Sequence, residues 1–210
     1  MNQLISTLGR FGINYYGHLF DYYIGYLENC VEVVKPAGHG KRSAPAMDSR
    51  DLVLHKLILK SLTLLFTHDK RGFIDSLRFE KIVKPLCSQL GLVSMTDDFV
   101  NYSRELISPC ITSLTVLMSD DFMWKTVLHH VCSGLRVESI AARRSIADCC
   151  SLLIDSLADR FVVILNDFIP HLSDMLDDED PGISHTAKAM VKQINQYSSE
   201  DIYALIRHSS

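Results

Sequence analysis

Hydrophobic residues recur every three to four positions along almost the whole chain. Between residues 11 and 34 they follow the i, i+3, i+4, i+7 spacing that places them on one face of an α-helix. The one β-like run, residues 161–165, continues into helical spacing, and no other segment alternates long enough to form a strand. The pattern therefore predicts an all-α protein. Further helices are expected at about 49–68, 76–90, 97–118, 122–134, 138–158, 161–176, 183–197 and 199–207.

One segment, residues 35–49, breaks this periodicity. It carries two prolines, two glycines and several basic residues without any repeat, which predicts a mobile loop. The helix expected after it is apolar on almost all sides. A helix without a polar face packs in the middle of a stack.

Three predicted helices contain an interior proline: Pro85, Pro109 and Pro170. Each proline has a large apolar residue two positions before it and another five positions after it. An interior proline costs about 3 kcal/mol or more, so three similar sites indicate a repeated unit. Kinked helices that recur in an all-α chain are typical of solenoids of paired helices with units of about 40 residues. We therefore predict a single domain over residues 1–210 with about five helix pairs.

Composition excludes disorder for most of the chain and places limits on its partners. Hydrophobic residues make up 47%, and 21 basic against 25 acidic residues give a net charge of −4. This balance argues against a dedicated nucleic-acid domain but leaves room for a local basic face. The six cysteines lie in apolar stretches, where they are expected to pack as small core residues in a reducing compartment.

The residues that could carry chemistry do not form a recognisable site. His129 and Cys132 share a helical face, but a structural zinc site needs four ligands and no second pair lies nearby. No motif brings a nucleophile, a base and oxyanion donors together. We expect no catalytic residue, no metal, no cofactor and no small-molecule substrate. No uncharged apolar run is long enough to span a membrane, so we expect no membrane partner.

Four basic residues, Arg143, Arg144, Lys188 and Lys192, lie on the second helices of the last two predicted units. Lys188 and Lys192 are four positions apart and therefore share a helix face. These side chains could contact RNA phosphates or an acidic partner. The alternative is ordinary solvation, or pairing with the acidic turns of the same chain.

The last predicted unit resembles a HEAT repeat. Its first helix carries Pro170, an acidic turn ends in Asp180 and Pro181, and the second helix begins with Ile183 followed four positions later by Ala187. The resemblance implies an α-α superhelix, a right-handed solenoid of helix pairs. The sequence departs from the repeat pattern at residue 184, which is a serine where the repeat prefers a basic residue.

A longer series of segments is more specific. It consists of Leu106–Ile111, the Asp-Asp-x-x-Trp-Lys motif within Met118–Lys125, small residues around Arg143, and Phe168–Glu179. This series resembles the C-terminal domain of the large nucleolar HEAT-repeat proteins of the small-subunit processome. Because members of that family are far longer, the resemblance implies that the chain corresponds to a C-terminal portion.

The resemblance implies a non-catalytic scaffold in ribosome biogenesis. Such a scaffold supports 18S precursor ribosomal RNA processing in the nucleolus, with ribosomal RNA transcription as a further expectation. The implied partners are other processome proteins and precursor ribosomal RNA or small nucleolar RNA. The alternative is a HEAT-type adaptor for transport or trafficking, which binds a protein helix or peptide in its concave groove.

Overall fold

The computed structural model describes residues 13–34, 48–70, 72–198 and 201–209. These ranges contain helices and turns and no strand, so the prediction of an all-α fold is confirmed. The predicted loop lies outside the described residues, apart from Asp48 and Ser49 at the start of a helix. The helices are α1 (Ile13–Val34), α2 (Ser49–His68), α3 (Ser76–Cys87), α4 (Phe99–Tyr102), α5 (Ser108–Leu117), α6 (Asp121–Cys132), α7 (Ile140–Leu157), α8 (Leu165–Leu176), α9 (Pro181–Ile194) and α10 (Ile202–Ser209).

The helices form two layers. In one layer α1, α3, α6, α8 and α10 pack against each other in that order, and in the other layer α2, α5, α7 and α9 do the same. Each first-layer helix also contacts the second-layer helix that follows it, apart from α10 at the end of the array. This arrangement is a HEAT-like solenoid, as predicted. The described residues hold four such pairs followed by α10, and the total of about five pairs stays a prediction.

Several of the described helices begin at an aspartate whose side chain caps the helix, including Asp201 before α10. The side chains of Asp75, Asp120 and Asp180 accept hydrogen bonds from backbone N–H groups in the first turns of α3, α6 and α9. Such N-caps satisfy donors that have no partner within the helix. In α9, Pro181 occupies the first turn, where its missing N–H costs nothing.

The three prolines have two different environments. Pro85 and Pro170 lie inside α3 and α8, as predicted. Pro109 lies instead in the first turn of α5, directly after a π-helical segment, Ser103–Ile107, that connects α4 to α5. Because Pro109 has no N–H, it cannot bond to the carbonyl four residues earlier, and a wider turn precedes it. The helix predicted at 97–118 is therefore not regular.

The core forms one continuous cluster of buried side chains between the two layers. All six cysteines are buried and none forms a disulfide. The cluster also encloses a polar group, the imidazole of His55, which is fully buried between Tyr102 and Gln89. No described helix is both long enough and apolar enough to cross a membrane.

Candidate partner-binding surfaces

Arg143, in the first turn of α7, is held by the turn between α8 and α9. Its Nε donates to Asp178 Oδ2 at 2.8 Å and its Nη2 donates to Oδ1 at 3.1 Å. Its Nη1 donates to the carbonyls of Val137 and Glu138 at 3.0 and 3.1 Å. Hydrogen bonding from Arg143 holds the pKa of Asp178 below its usual value. This arginine therefore joins two successive helix pairs.

Arg144 makes a second pair of the same kind. Its Nε and Nη2 donate to the two carboxylate oxygens of Asp180 at 2.8 and 2.7 Å. The same carboxylate accepts from the N–H of Ile183 at 3.1 Å and so caps α9. Hydrogen bonding from Arg144 holds the pKa of Asp180 below its usual value. Both arginines thus pair with the acidic turn, one of the two alternatives that the sequence leaves open.

Lys188 and Lys192 lie elsewhere. Both are exposed on α9, beyond the turn that holds the arginines, and neither forms an ion pair with a described residue. The four predicted contact residues are therefore divided into two arginines paired with aspartates and two lysines without an ion pair among the described residues. Contact of these four residues with RNA or an acidic partner stays a prediction.

His129 and Cys132, the two side chains considered as metal ligands, lie in different environments. Cys132 is buried with its Sγ 3.9 Å from Sγ of Cys150, whereas His129 is exposed on the outside of α6. The Cys132 thiol and burial together raise the pKa of Cys150 well above its usual value. Within the described ranges, no three His, Cys, Asp or Glu side chains are placed to hold a metal ion.

One surface feature was not predicted. A groove of about 590 Å³ lies where the segments that enter α3, α6 and α8 meet; we call it the three-linker groove. The motif Asp-Asp-x-x-Trp-Lys supplies part of its wall, so the sequence marked the segment without indicating a concave surface. The groove is lined by Ile74, Leu117, Met118, Ser119, Asp120, Asp121, Met123, Trp124 and Val163.

Trp124 fixes the shape of this wall. Its indole Nε1 donates to the carbonyl oxygens of Thr115 and Met118 at 3.1 and 2.9 Å, at the end of α5. On one side the guanidinium of Arg160 lies 5.7 Å from the centre of the indole ring, a cation–π contact. The tryptophan therefore holds the corner between α5 and α6 at a fixed angle.

Comparison with known proteins supports the resemblance that the motifs indicate. No family model matches the chain. The chain is 26% identical over 151 residues to HEAT repeat-containing protein 1 of Homo sapiens, covering 71% of this chain and 7% of that protein. It is 24% identical over 169 residues to U3 small nucleolar RNA-associated protein 10 of Pyricularia oryzae, covering 80% of this chain and 9% of that protein.

A third relative is an uncharacterized protein of Arabidopsis thaliana, 25% identical over 171 residues, which cover 77% of this chain and 8% of that protein. The chain thus spans less than a tenth of the length of these three relatives. Their similarity and the two-layer helical array agree with the sequence motifs. The chain is therefore a homologue of the proteins named HEAT repeat-containing protein 1 and U3 small nucleolar RNA-associated protein 10.

Proposed function

We propose that this protein is a non-catalytic scaffold in ribosome biogenesis. It acts in the nucleolus, within the small-subunit processome, and supports processing of the 18S precursor ribosomal RNA. One observation carries the proposal, which is the similarity to proteins whose name associates them with the U3 small nucleolar RNA. By the same inference, its partners are processome proteins together with precursor ribosomal RNA or small nucleolar RNA.

The architecture supports a role based on binding. In a two-layer array, each helix buries one side against its neighbours and leaves its other side on an extended surface. Partners can therefore dock along several successive units. The relatives carry names that describe a repeat structure and an RNA association, and neither name describes a reaction.

The proposal can be tested in the cells that make the protein. A tagged full chain is expected to sediment with pre-ribosomal particles in a gradient. Immunoprecipitation is expected to enrich U3 RNA over a small nucleolar RNA that guides modification of the large subunit. Depletion is expected to lower 18S relative to large-subunit ribosomal RNA. A chain that stays at the top of the gradient without U3 enrichment contradicts the proposal and favours the transport or trafficking adaptor.

Within this function, we assign RNA contact to Lys188 and Lys192 in preference to Arg143 and Arg144. Arg143 and Arg144 would have to give up their bonds to Asp178 and Asp180 to reach a phosphate, whereas the two lysines have no such competitor in the part of the chain that the structure describes. Each phosphate contact by a lysine contributes about one unit to the salt dependence of binding.

Reversing both charges, Lys188→Glu with Lys192→Glu, is expected to reduce crosslinking to RNA in particles. The matched control is Lys56→Glu with Lys60→Glu, which changes two exposed lysines four positions apart on α2. If the α9 variant is folded and crosslinks as strongly as the control, the assignment is wrong.

A further inference from the structure

The three-linker groove combines three successive units of the array. Ile74 comes from the segment before α3, residues 117–121 from the corner between α5 and α6, and Val163 from the turn before α8. No single helix pair contains this surface, because it exists only where three units are stacked. The groove is wide and open to solvent, with a volume of about 590 Å³.

Large apolar side chains are exposed on or near the helix starts that surround this groove. Val163, which belongs to the lining, is 55% exposed, and Phe122, which lies between the lining residues Asp121 and Met123 in the chain, is 69% exposed. Leu77, three residues after Ile74, is 62% exposed, whereas Ile74, Met118 and Trp124 form the buried floor of the groove. A single exposed apolar residue is ordinary, but an exposed apolar group beside a groove marks an interaction surface. Met123, which is partly exposed in the lining, adds an unbranched side chain that adapts to different partners.

The charge of the lining is negative. Asp120 and Asp121 contribute carboxylates, and the described residues of the groove lining include no lysine or arginine. Two cations that lie near it are already engaged, since Lys125 pairs with Asp167 at 3.2 Å and Arg160 lies over the Trp124 ring. Another, Arg78, pairs with Asp75 at 2.8 Å. A complementary partner therefore carries positive charge beside its apolar groups.

We propose that the three-linker groove binds a basic amphipathic helix of a partner protein. The apolar face of that helix lies against the exposed Phe122 and Val163 and the partly exposed Met123, and its lysine or arginine side chains face Asp120 and Asp121. This mode of recognition places an apolar stripe in a groove and sets orientation by the flanking charges. It goes beyond the proposed function, because it assigns a site and a partner chemistry that do not depend on RNA.

The fluorescence of Trp124 can report binding, because Trp124 is the one tryptophan of the chain and lines the groove. The probe is a synthetic helical peptide of about 14 residues, built from leucine and lysine with helical spacing and lacking aromatic residues. Titration of the purified full chain is expected to change Trp124 emission in a saturable manner, and added salt is expected to weaken binding. The leucine and glutamate counterpart of the peptide is expected not to bind.

Variants separate this groove from other surfaces. Phe122→Ser and Asp121→Lys change exposed side chains and are each expected to raise the Kd for the lysine peptide about tenfold, which corresponds to about 1.4 kcal/mol. The matched controls, Leu57→Ser on α2 and Asp97→Lys before α4, are expected to bind like the unmodified chain.

Three results would overturn the proposal. They are equal binding of the glutamate peptide, unchanged affinity in both groove variants, and a concentration-dependent change in Trp124 emission without peptide. The last result identifies a second copy of the chain as the occupant. Since the experiment uses purified protein and no RNA, its failure leaves the sedimentation and U3 tests of the proposed function unaffected.

Discussion

Arg144 and Asp180 form a two-point ion pair between α7 and the N-terminus of α9. The contacts are 2.8 Å from Nε to Oδ1 and 2.7 Å from Nη2 to Oδ2, and Oδ1 also accepts from the N–H of Ile183. One carboxylate thus starts a helix and ties it to the preceding unit. Gly182 leaves room for this arrangement, because a Cβ there would lie 3.0 Å from Oδ1 of Asp180 and 3.3 Å from Nε of Arg144.

This double role predicts an order of stabilities. Asp180→Ala removes both the cap and the ion pair, so it is expected to lower the free energy of unfolding more than Arg144→Ala does. Asp180→Ser retains a capping oxygen and is expected to resemble Arg144→Ala. Urea unfolding gives the free energy of unfolding of these three variants and of the double variant Asp180→Ala with Arg144→Ala. The double variant gives the coupling energy between the two side chains. Equal effects of Asp180→Ala and Asp180→Ser would show that capping contributes nothing here.

The buried His55 has a defined tautomer. Gln89 donates from Nε2 to the carbonyls of Leu27 and Pro85 at 3.0 and 2.6 Å, so its Oε1 faces His55 Nε2 at 3.0 Å. Since Oε1 can only accept, Nε2 carries the hydrogen. Nδ1 then accepts from the hydroxyl of Tyr102 at 2.7 Å. Nitrogen NMR of the imidazole is expected to show the neutral Nε2–H form at pH 7.

Burial lowers the pKa of His55 from 6.5 to about 4. The unfolded chain therefore binds this proton more readily than the folded chain, and stability is lost as the pH falls from about 6.5 towards 4. The expected loss is about 3 kcal/mol, since one pKa unit corresponds to about 1.4 kcal/mol. The carboxylates of Asp178 and Asp180 also have lowered pKa values, but they lose their contribution only below their ordinary value of 3.8.

Urea unfolding between pH 7 and pH 4.5 tests this assignment. The comparison is with His55→Gln, which is expected to be less stable at pH 7 but to lose much less stability on acidification. Parallel pH dependence in the two proteins would show that other groups are responsible.

Trp124 is expected to contribute to stability through its indole N–H. Trp124→Phe leaves the carbonyl oxygens of Thr115 and Met118 without this donor, and it is expected to lower the free energy of unfolding by about 1–3 kcal/mol. Phe122→Leu, at an exposed position in the same helix turn, is the control, with an expected change within about 0.5 kcal/mol. Similar values for the two variants in denaturant unfolding would contradict this role.

Ala158 follows α7 with φ of 52° and ψ of −124°, a left-handed conformation that favours glycine. Ala158→Gly is expected to raise the free energy of unfolding by about 1 kcal/mol, because it relieves backbone strain at the end of a helix. Ala141→Gly, inside α7, is the control and is expected to lower it by about 1 kcal/mol. If thermal or urea unfolding shows that Ala158→Gly is less stable than the unmodified chain, the backbone at Ala158 is not strained.

The periodic spacing of apolar residues was sufficient to predict the fold class and the approximate positions of the helices, because one helix face must be buried whatever its neighbours are. The sequence also predicted the acidic turn that ends in Asp180 and Pro181, and α9 begins at Pro181, two residues before the predicted Ile183. The π-helical segment before Pro109 was not predicted, because which turn absorbs the missing N–H depends on how α5 packs against α2 and α7.

For the candidate surfaces too, the sequence predicts some features and only the tertiary structure shows the others. Sequence spacing alone placed Lys188 and Lys192 on one helix face, because that follows from 3.6 residues per turn. Only the tertiary structure decided that Arg143 and Arg144 reach carboxylates 35 and 36 residues away. It alone also brought Ile74, Trp124 and Val163 around one groove. These contacts depend on how successive units stack, and stacking is set by packing between distant side chains, which local periodicity does not encode.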